Sequence, residues 1–332
     1  MTADWLAQVV EEVIDPERPI CDPHHHLWDD ANNPYLLPHL LSDTGCGHNV
    51  VSTVFVECHS MYRAEGPVAL APVGETEFVN GIAAMTASGK YGDVRACKGI
   101  VSFADLCLGA EAGSVLDAHI AASQRFRGIR HAAGWDADER VRNSHTRPPP
   151  NLYAREDFQA GFQELASRQL TFDAWQYHPQ IPELTTLATQ FPQVTIVFDH
   201  FGGPLGIGPY AGHSEAIFEQ WCKDVKELAA CDNVYAKLGG LVMPINGFGF
   251  HKRNKPASSD EIVAVTARYY HKAIELFGPE RCMFESNFPV DKQSASYGVL
   301  WNAFKKMAAD YSAADQDRLF HDTAVQAYKL DA

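Results

Sequence analysis

Positive charge is what this chain has least of: 27 Lys and Arg stand against 42 Asp and Glu, a net charge of −15. A nonspecific hold on nucleic acid or on an anionic membrane needs basic surface, so neither is expected as a partner. No apolar run approaches the roughly 18 residues of a membrane span. The N-terminus, with Asp4, Glu11, Glu12 and Asp15, lacks the basic-then-apolar layout of a signal peptide, and a cytoplasmic location is expected. The eight cysteines include no C-x-x-C pair and mostly sit in apolar runs, which favours reduced, packed thiols over a disulfide framework. Internal repeats, low-complexity tracts and interdomain linkers are also missing, so a single domain over residues 1–332 is the simplest organisation. What the chain does have is core: 46% of its 332 residues are hydrophobic and 21% charged, enough to bury a large interior, and a small molecule is the expected ligand.

Eight short β-rich runs recur along the chain: Pro19–His24, Val50–Cys58, Val94–Phe103, Arg125–His131, Leu170–His178, Val194–His200, Val234–Leu238 and Cys282–Asn287. Several are almost continuously apolar, as strands covered on both faces are. Segments of helical periodicity lie between them, at Glu77–Ser88, Gly113–Ser123, Arg155–Arg168, Pro182–Gln190, Ser214–Ala230, Asp260–Phe277 and Tyr297–Asp310, with a last one at Ala313–Leu330. No Gly-rich turn follows the first strand, which argues against an open doubly wound sheet and for a (β/α)8 TIM barrel with its core over about 19–310. The remaining residues are expected in an N-terminal helix, Ala3–Ile14, and in long loops at the C-terminal face, Ala132–Tyr153, Gly202–His213 and Val242–Ala257.

The most informative stretch is Asp22-Pro23-His24-His25-His26-Leu27-Trp28-Asp29, around the end of the first strand. Side chains alternate along a strand, so His24 and His26 share one face and His25 points the other way. Two converging imidazoles suit a divalent metal, or a pair of donors polarising a carbonyl. Later strand ends add Glu57 and His59, Arg130 and His131, Gln176 and His178, His200, Lys237, and Glu285 with Asn287. In a barrel these ends meet around one axis. Arg130 is expected to anchor a substrate carboxylate through its forked donors, and Gln176 is a further candidate substrate contact. Lys237 reads equally as an oxyanion-stabilising cation and as an ion-pair partner inside the barrel. In Asp199-His200-Phe201-Gly202-Gly203-Pro204 a histidine stands beside a backbone bend; a capped β-turn is the plainer alternative.

Together with Phe126-Arg127-Gly128-Ile129-Arg130, Asn233-Val234-Tyr235-Ala236-Lys237-Leu238 and Met283-Phe284-Glu285-Ser286-Asn287-Phe288-Pro289, these motifs resemble the TIM-barrel amidohydrolase-related proteins that include 2-pyrone-4,6-dicarboxylate lactonase and sugar lactonases. The resemblance implies that His24, His26 and His200, with a strand-8 acid, work on a lactone or related carbonyl. It implies either a divalent ion, zinc or manganese, or metal-free catalysis, because members of that family differ. With a metal, Glu57 and His178 are expected to join His24 and His26 as ligands, and His178-Pro179 is similar to the ligand position of decarboxylase relatives. One departure matters. Where the family usually has Gly-Ser-Asp-Trp-Pro, this chain reads Glu285-Ser286-Asn287-Phe288-Pro289. An amide is no proton acceptor near neutral pH. Glu285, on the same strand face one layer deeper, is the expected substitute because burial raises a carboxyl pKa, and Asp291 is the other nearby carboxylate.

The reading that follows is a hydrolase of a small, carboxylated lactone or related cyclic ester, with His24, His26, His200, Glu285 and Asn287 at its catalytic centre. A metal-dependent decarboxylase or a lactone isomerase on the same barrel is the alternative that Asn287 favours. A binding protein that keeps the pocket without the base is a third. The apolar stripe Tyr297–Ala309 suits packing on a second copy of the chain or on the chain's own core.

Overall fold

Strands that are apolar on both faces need a sheet covered on both faces, and the chain meets that need by curling the sheet round. The computed structural model describes residues 3–330; the outermost residues of the expected 1–332 domain lie outside them. Eight parallel strands follow one another in chain order: β1 (Ile20–His25), β2 (Val50–Val56), β3 (Arg95–Ser102), β4 (Phe126–Arg130), β5 (Thr171–Ala174), β6 (Ile196–Phe198), β7 (Val234–Leu238) and β8 (Cys282–Phe284). Each lies inside the run expected from the sequence, except that β1 extends one residue further, and β2, β5, β6 and β8 stop two residues or more before the end of their runs. Helices α1 (Ala3–Leu6), α2 (Leu37–Thr44), α3 (Val73–Ala87), α4 (Ala112–Ala122), α5 (Glu156–Arg168), α6 (Ile181–Gln190), α7 (Ser214–Ala229), α8 (Ser259–Phe277), α9 (Tyr297–Ala308), α10 (Ala313–Asp317) and α11 (Thr323–Ala327) alternate with or follow the strands. This is the (β/α)8 barrel. The start of α8 shows the local logic: Ser258 Oγ accepts from Glu261 N while Glu261 Oε2 accepts from Ser258 N at 2.9 Å, a reciprocal cap. None of the described helices is long and apolar enough to cross a membrane.

The seam between β8 and β1 is closed by side chains more than by a strand ladder. Buried Asp22 accepts at Oδ1 from Ser286 N (2.9 Å) and at Oδ2 from Ser286 Oγ (2.6 Å) and Tyr297 Oη (2.9 Å). Beside it, His26 N donates to Phe288 O at 2.8 Å. Inside the barrel, Cys21, Val54, Val56, Val101, Val197 and Met283 form an apolar cluster with Ala324, Ala327, Tyr328 and Leu330 of the C-terminal segment. Val197 and Met283 stand two residues before Asp199 and Glu285, so this cluster floors the strand ends. The outer core, between sheet and helices, is larger and aromatic, with Phe158, Phe162, Phe172, Trp221, Trp301 and Phe304 all fully buried.

Three elements differ from expectation. The helix expected over Ala3–Ile14 stops at Leu6, and the following chain runs as a strap along α8 and α9. Its apolar spacing suited a helix, but Asn302 takes Ile14 N (3.0 Å) and the Glu12 carbonyl (2.9 Å), and Lys305 Nζ takes the Asp15 carbonyl (2.6 Å), so tertiary partners replace intrahelical ones. The helix expected over Ala313–Leu330 is broken by a π turn at Arg318–Asp322. Helix α2 had no counterpart in the sequence reading.

Two outcomes follow. His25 and His119 are buried, which lowers each imidazole to about 4. Unfolded, such rings protonate near 6.5, so between those values the unfolded chain binds more protons and stability, full above 6.5, is lost as pH falls. The unfolding free energy from urea titration should therefore drop between pH 7 and pH 5, by about 2 kcal/mol per ring, and His119→Gln should flatten that slope. Asp22→Ala, which opens the seam and leaves Ser286 and Tyr297 without their acceptor, should lower the unfolding free energy by about 3 kcal/mol in urea titration.

Candidate active site

Each functional side chain is delivered by the end of a strand, and the backbone there is distorted to do so. A register shift between Asp22 and His25 precedes the paired rings of His24 and His26, whose centroids lie 4.9 Å apart. His25 turns away as expected, its Nε2 2.8 Å from Thr53 Oγ1. After β6 four successive residues are left-handed: His200 (φ 52), Phe201 (φ 58), Gly202 (φ 64) and Gly203 (φ 50). The two that carry a Cβ each cost about 1 kcal/mol or more there. Packing holds the bend: Trp221 Nε1 donates to Phe201 O at 2.8 Å, and a Cβ on Gly202 would fall 2.6 Å from the Phe198 ring. The bend sets the His200 ring 4.5 Å from that of His24 and 4.9 Å from Trp175. On its other side the backbone of Gly240 comes so close that a Cβ would sit 2.5 Å from His200 Nδ1.

Beneath the rings lies a buried charge network. Lys237 Nζ donates to Asp173 Oδ2 (2.5 Å) and to His24 Nδ1 (3.2 Å) and forms an ion pair with Asp199 Oδ1 (3.2 Å). Burial opposes the ammonium charge, but the carboxylates of Asp173 and Asp199 keep it above the ordinary lysine range. Arg130 Nε donates to Glu57 Oε1 (2.7 Å), its Nη2 to the Glu57 carbonyl (2.6 Å), and its Nη1 lies 3.3 Å from His24 Nε2. Burial would raise the Glu57 carboxyl, yet the charges of Arg130 and His145 hold it below the usual carboxylate range. His145, from the long loop after β4, caps Glu57 Oε2 at 3.0 Å.

The rings of His24, His26 and His200 are held uncharged. Burial takes His24 and His26 well below their ordinary value, with Lys237 and Arg130 adding to the effect, and takes His200 to about 3. His26 Nδ1 lies 2.8 Å from the Val56 carbonyl, which only accepts, so Nδ1 carries the proton and Nε2 keeps the lone pair. Of the two roles open to this pair, ligand and donor, His26 Nε2 is thus equipped for the first. His200 Nδ1 lies 2.6 Å from Glu285 Oε1, and burial, together with Asp199, pushes that carboxyl well above its usual range.

Several residues stand otherwise than the sequence suggested. Arg130, expected to hold a ligand carboxylate, has its donors directed at Glu57 and His24. Glu57, expected as a metal ligand, is enclosed by Arg130 and His145. His178 lies apart from the other imidazoles, with Nδ1 accepting from Leu205 N (3.2 Å) and its ring against Tyr210. Gln176 faces the helix layer, its Oε1 accepting from Tyr153 Oη at 3.2 Å; the strand-5 residues on the inner face are Asp173 and Trp175. Asn287, left-handed at φ 53, donates from Nδ2 to Asp291 Oδ1 at 3.1 Å. Asp173, Asp199 and His145 were not read as site residues. The signal for Asp173 was present, a single acid inside the apolar run Leu170-Thr171-Phe172-Asp173-Ala174; His145 sits on a loop that no periodicity places.

The donor set accommodates a divalent ion. His24, His200 and Glu285 each offer an atom within 4.8 Å of the others, and Glu285 Oε2 is buried with no hydrogen-bond partner among the described residues. Both nitrogens of His24 already meet a cationic donor, so an ion bound there would displace the contact to Lys237 or to Arg130.

Comparison with known proteins places this geometry. Residues 21–330 match the model of the amidohydrolase family. An uncharacterised protein of Sinorhizobium fredii, y4mH, is 33% identical over 94% of this chain and 98% of its own length. An L-fucono-1,5-lactonase of Burkholderia multivorans is 27% identical over 62% of this chain and 64% of its own. The crystal structure of an amidohydrolase from Burkholderia multivorans with bound zinc superposes with a TM-score of 0.71 at 22% identity, covering 94% of this chain and 99% of that one, a likeness of fold. With the family match spanning nearly its whole length, this chain belongs to the amidohydrolase family.

Proposed function

We propose that this protein hydrolyses a small lactone or related cyclic ester, and that the pair His200–Glu285 activates the water. The observation that carries the reading is the 2.6 Å contact between His200 Nδ1 and Glu285 Oε1 beside His24, in a family with relatives named as lactonases. In the usual imidazole–carboxylate pair the ring holds a transferred proton and the carboxylate only orients it. Here the affinities are reversed, since burial lowers the ring and raises the carboxyl. A proton accepted from water at Nε2 therefore moves on from Nδ1 to Glu285 Oε1, and no buried imidazolium accumulates. The carboxyl so takes the place of the strand-8 aspartate that Asn287 lacks. Hydroxide adds to the carbonyl carbon, the ring C–O bond breaks, and the proton held by the pair returns to the leaving alkoxide. Arg130 and Lys237 hold His24 from its two sides and fix the orientation of its ring. A divalent ion held by His24, His200 and Glu285 would supply Lewis acidity and a lower water pKa.

We read the chain as one cytoplasmic barrel domain, in keeping with its eight unpaired thiols, and its partner as a small molecule. The apolar stripe on α9 packs into the chain's own core, one of the two placements expected for it. The decarboxylase or isomerase reading has one supporting observation, the amide of Asn287 where a base is usual, and it loses the support of His178, which stands outside the cluster.

On a panel of lactones, Glu285→Gln and His200→Asn should each lower kcat by about a hundred- to ten-thousand-fold. Unchanged turnover in either would remove the scheme. Activity that survives exhaustive chelation is expected of the protein-borne pair; activity lost on chelation and restored by zinc or manganese would assign the polarising role to the ion.

A further inference from the structure

We propose that Tyr328, carried by the C-terminal segment outside the sheet, is a positioning residue that decides which nitrogen of His24 holds the proton. The segment after α11 enters the barrel floor: Tyr328 is fully buried and Leu330 lies against β3, where only the missing side chain of Gly99 makes room, a Cβ there falling 2.9 Å from Leu330 Cδ2. Tyr328 Oη donates to Asp173 Oδ2 at 2.7 Å, the oxygen that accepts from Lys237 Nζ at 2.5 Å, and the ammonium stands 5.2 Å above the tyrosine ring. The tyrosine thus restrains both the carboxylate and the cation bound to it.

The consequence falls on His24. Its Nδ1 meets Lys237 Nζ at 3.2 Å and its Nε2 meets Arg130 Nη1 at 3.3 Å. A neutral imidazole has one lone pair, so only one of these donors is accepted and the other faces an N–H. Arg130 is anchored by Glu57 and Lys237 by Asp173, and the contest is decided by how firmly each cation is aimed. With Tyr328 on Asp173, Lys237 prevails: Nδ1 accepts, and Nε2–H is left on the side of Arg130. Removing one hydroxyl frees Asp173 to rotate, withdraws Lys237 and lets the other tautomer form.

The inference concerns the site read above as a lactone hydrolase, but its first test needs no substrate. Nitrogen-15 shifts of His24 in the purified full chain should show Nδ1 unprotonated, and Tyr328→Phe should move the population toward unprotonated Nε2 in a protein with native circular dichroism. Gly99→Ala, which pushes Leu330 without touching a site residue, should move the same signals in the same direction by less, and it decides the matter if Tyr328→Phe does not fold. On a lactone that the wild type turns over, Tyr328→Phe should lower kcat about tenfold with KM within about twofold, and Tyr328→Leu should do no better than Tyr328→Phe. Unmoved His24 signals in both variants overturn the proposal. A wild type inert toward every lactone sinks the proposed activity instead, and the nitrogen shifts still decide the role of Tyr328.

Discussion

Lys237, held between Asp173 and Asp199 under the ring of His24, is the interaction on which the rest of the site depends. An ammonium in a dry interior is tolerable only with partners close by, and removing one partner of such a buried pair typically costs about 3 to 5 kcal/mol. The network then dictates the chemistry above it. Arg130 and Lys237 face the carboxylates of Glu57, Asp173 and Asp199, so negative charge is in excess before Glu285 is considered. Burial, with Asp199 and Asp22 adding to it, is why Glu285 accepts a proton so readily, while burial and the two cations depress His24. The reversed order of affinities in the His200–Glu285 pair is thus set first by burial, and the surrounding charges only modify it.

The backbone contributes a second constraint. His200 and Asn287, at the ends of β6 and β8, are both left-handed, where most residues resist standing. Such strain persists only where surroundings enforce it. At His200 the enforcement is visible, with the Trp221 hydrogen bond and the phenyl ring of Phe198 below and the Gly240 backbone alongside. The Asp22 clasp does the same for the β1–β8 seam, so that the histidines of β1 and the acid of β8 keep their spacing although no ladder joins those strands.

Much of this architecture was legible in the chain. The eight apolar runs became eight strands because a sheet covered on both faces leaves a pattern that local sequence displays. His24, His26, His200 and Glu285 could be picked out because each ends such a run. Arg130 and Lys237 could be picked out too, but their partners could not: Glu57 lies 73 residues from Arg130 and Asp173 lies 64 from Lys237. For the same reason Arg130 read as free for a ligand and Glu57 as a ligand for a metal, when the two are bound to each other. Gln176 was misplaced by one position of alternation, since Trp175 shares the inner face with Asp173. The Ala3–Ile14 segment kept its helical spacing and still left the helix after Leu6, because Asn302 and Lys305 offered its backbone better partners.

The sequence alone determined the barrel, the order of its strands and the residue types gathered at one rim, because side-chain alternation and apolar periodicity act over a few residues and survive in the linear text. Tertiary structure alone decided which charges pair, which imidazole nitrogen carries a proton, and how a tyrosine near the C-terminus comes to lie under a histidine near the N-terminus. Those outcomes depend on distances of a few ångströms between residues far apart in the chain, and on the loss of water around them, neither of which has any expression in local pattern.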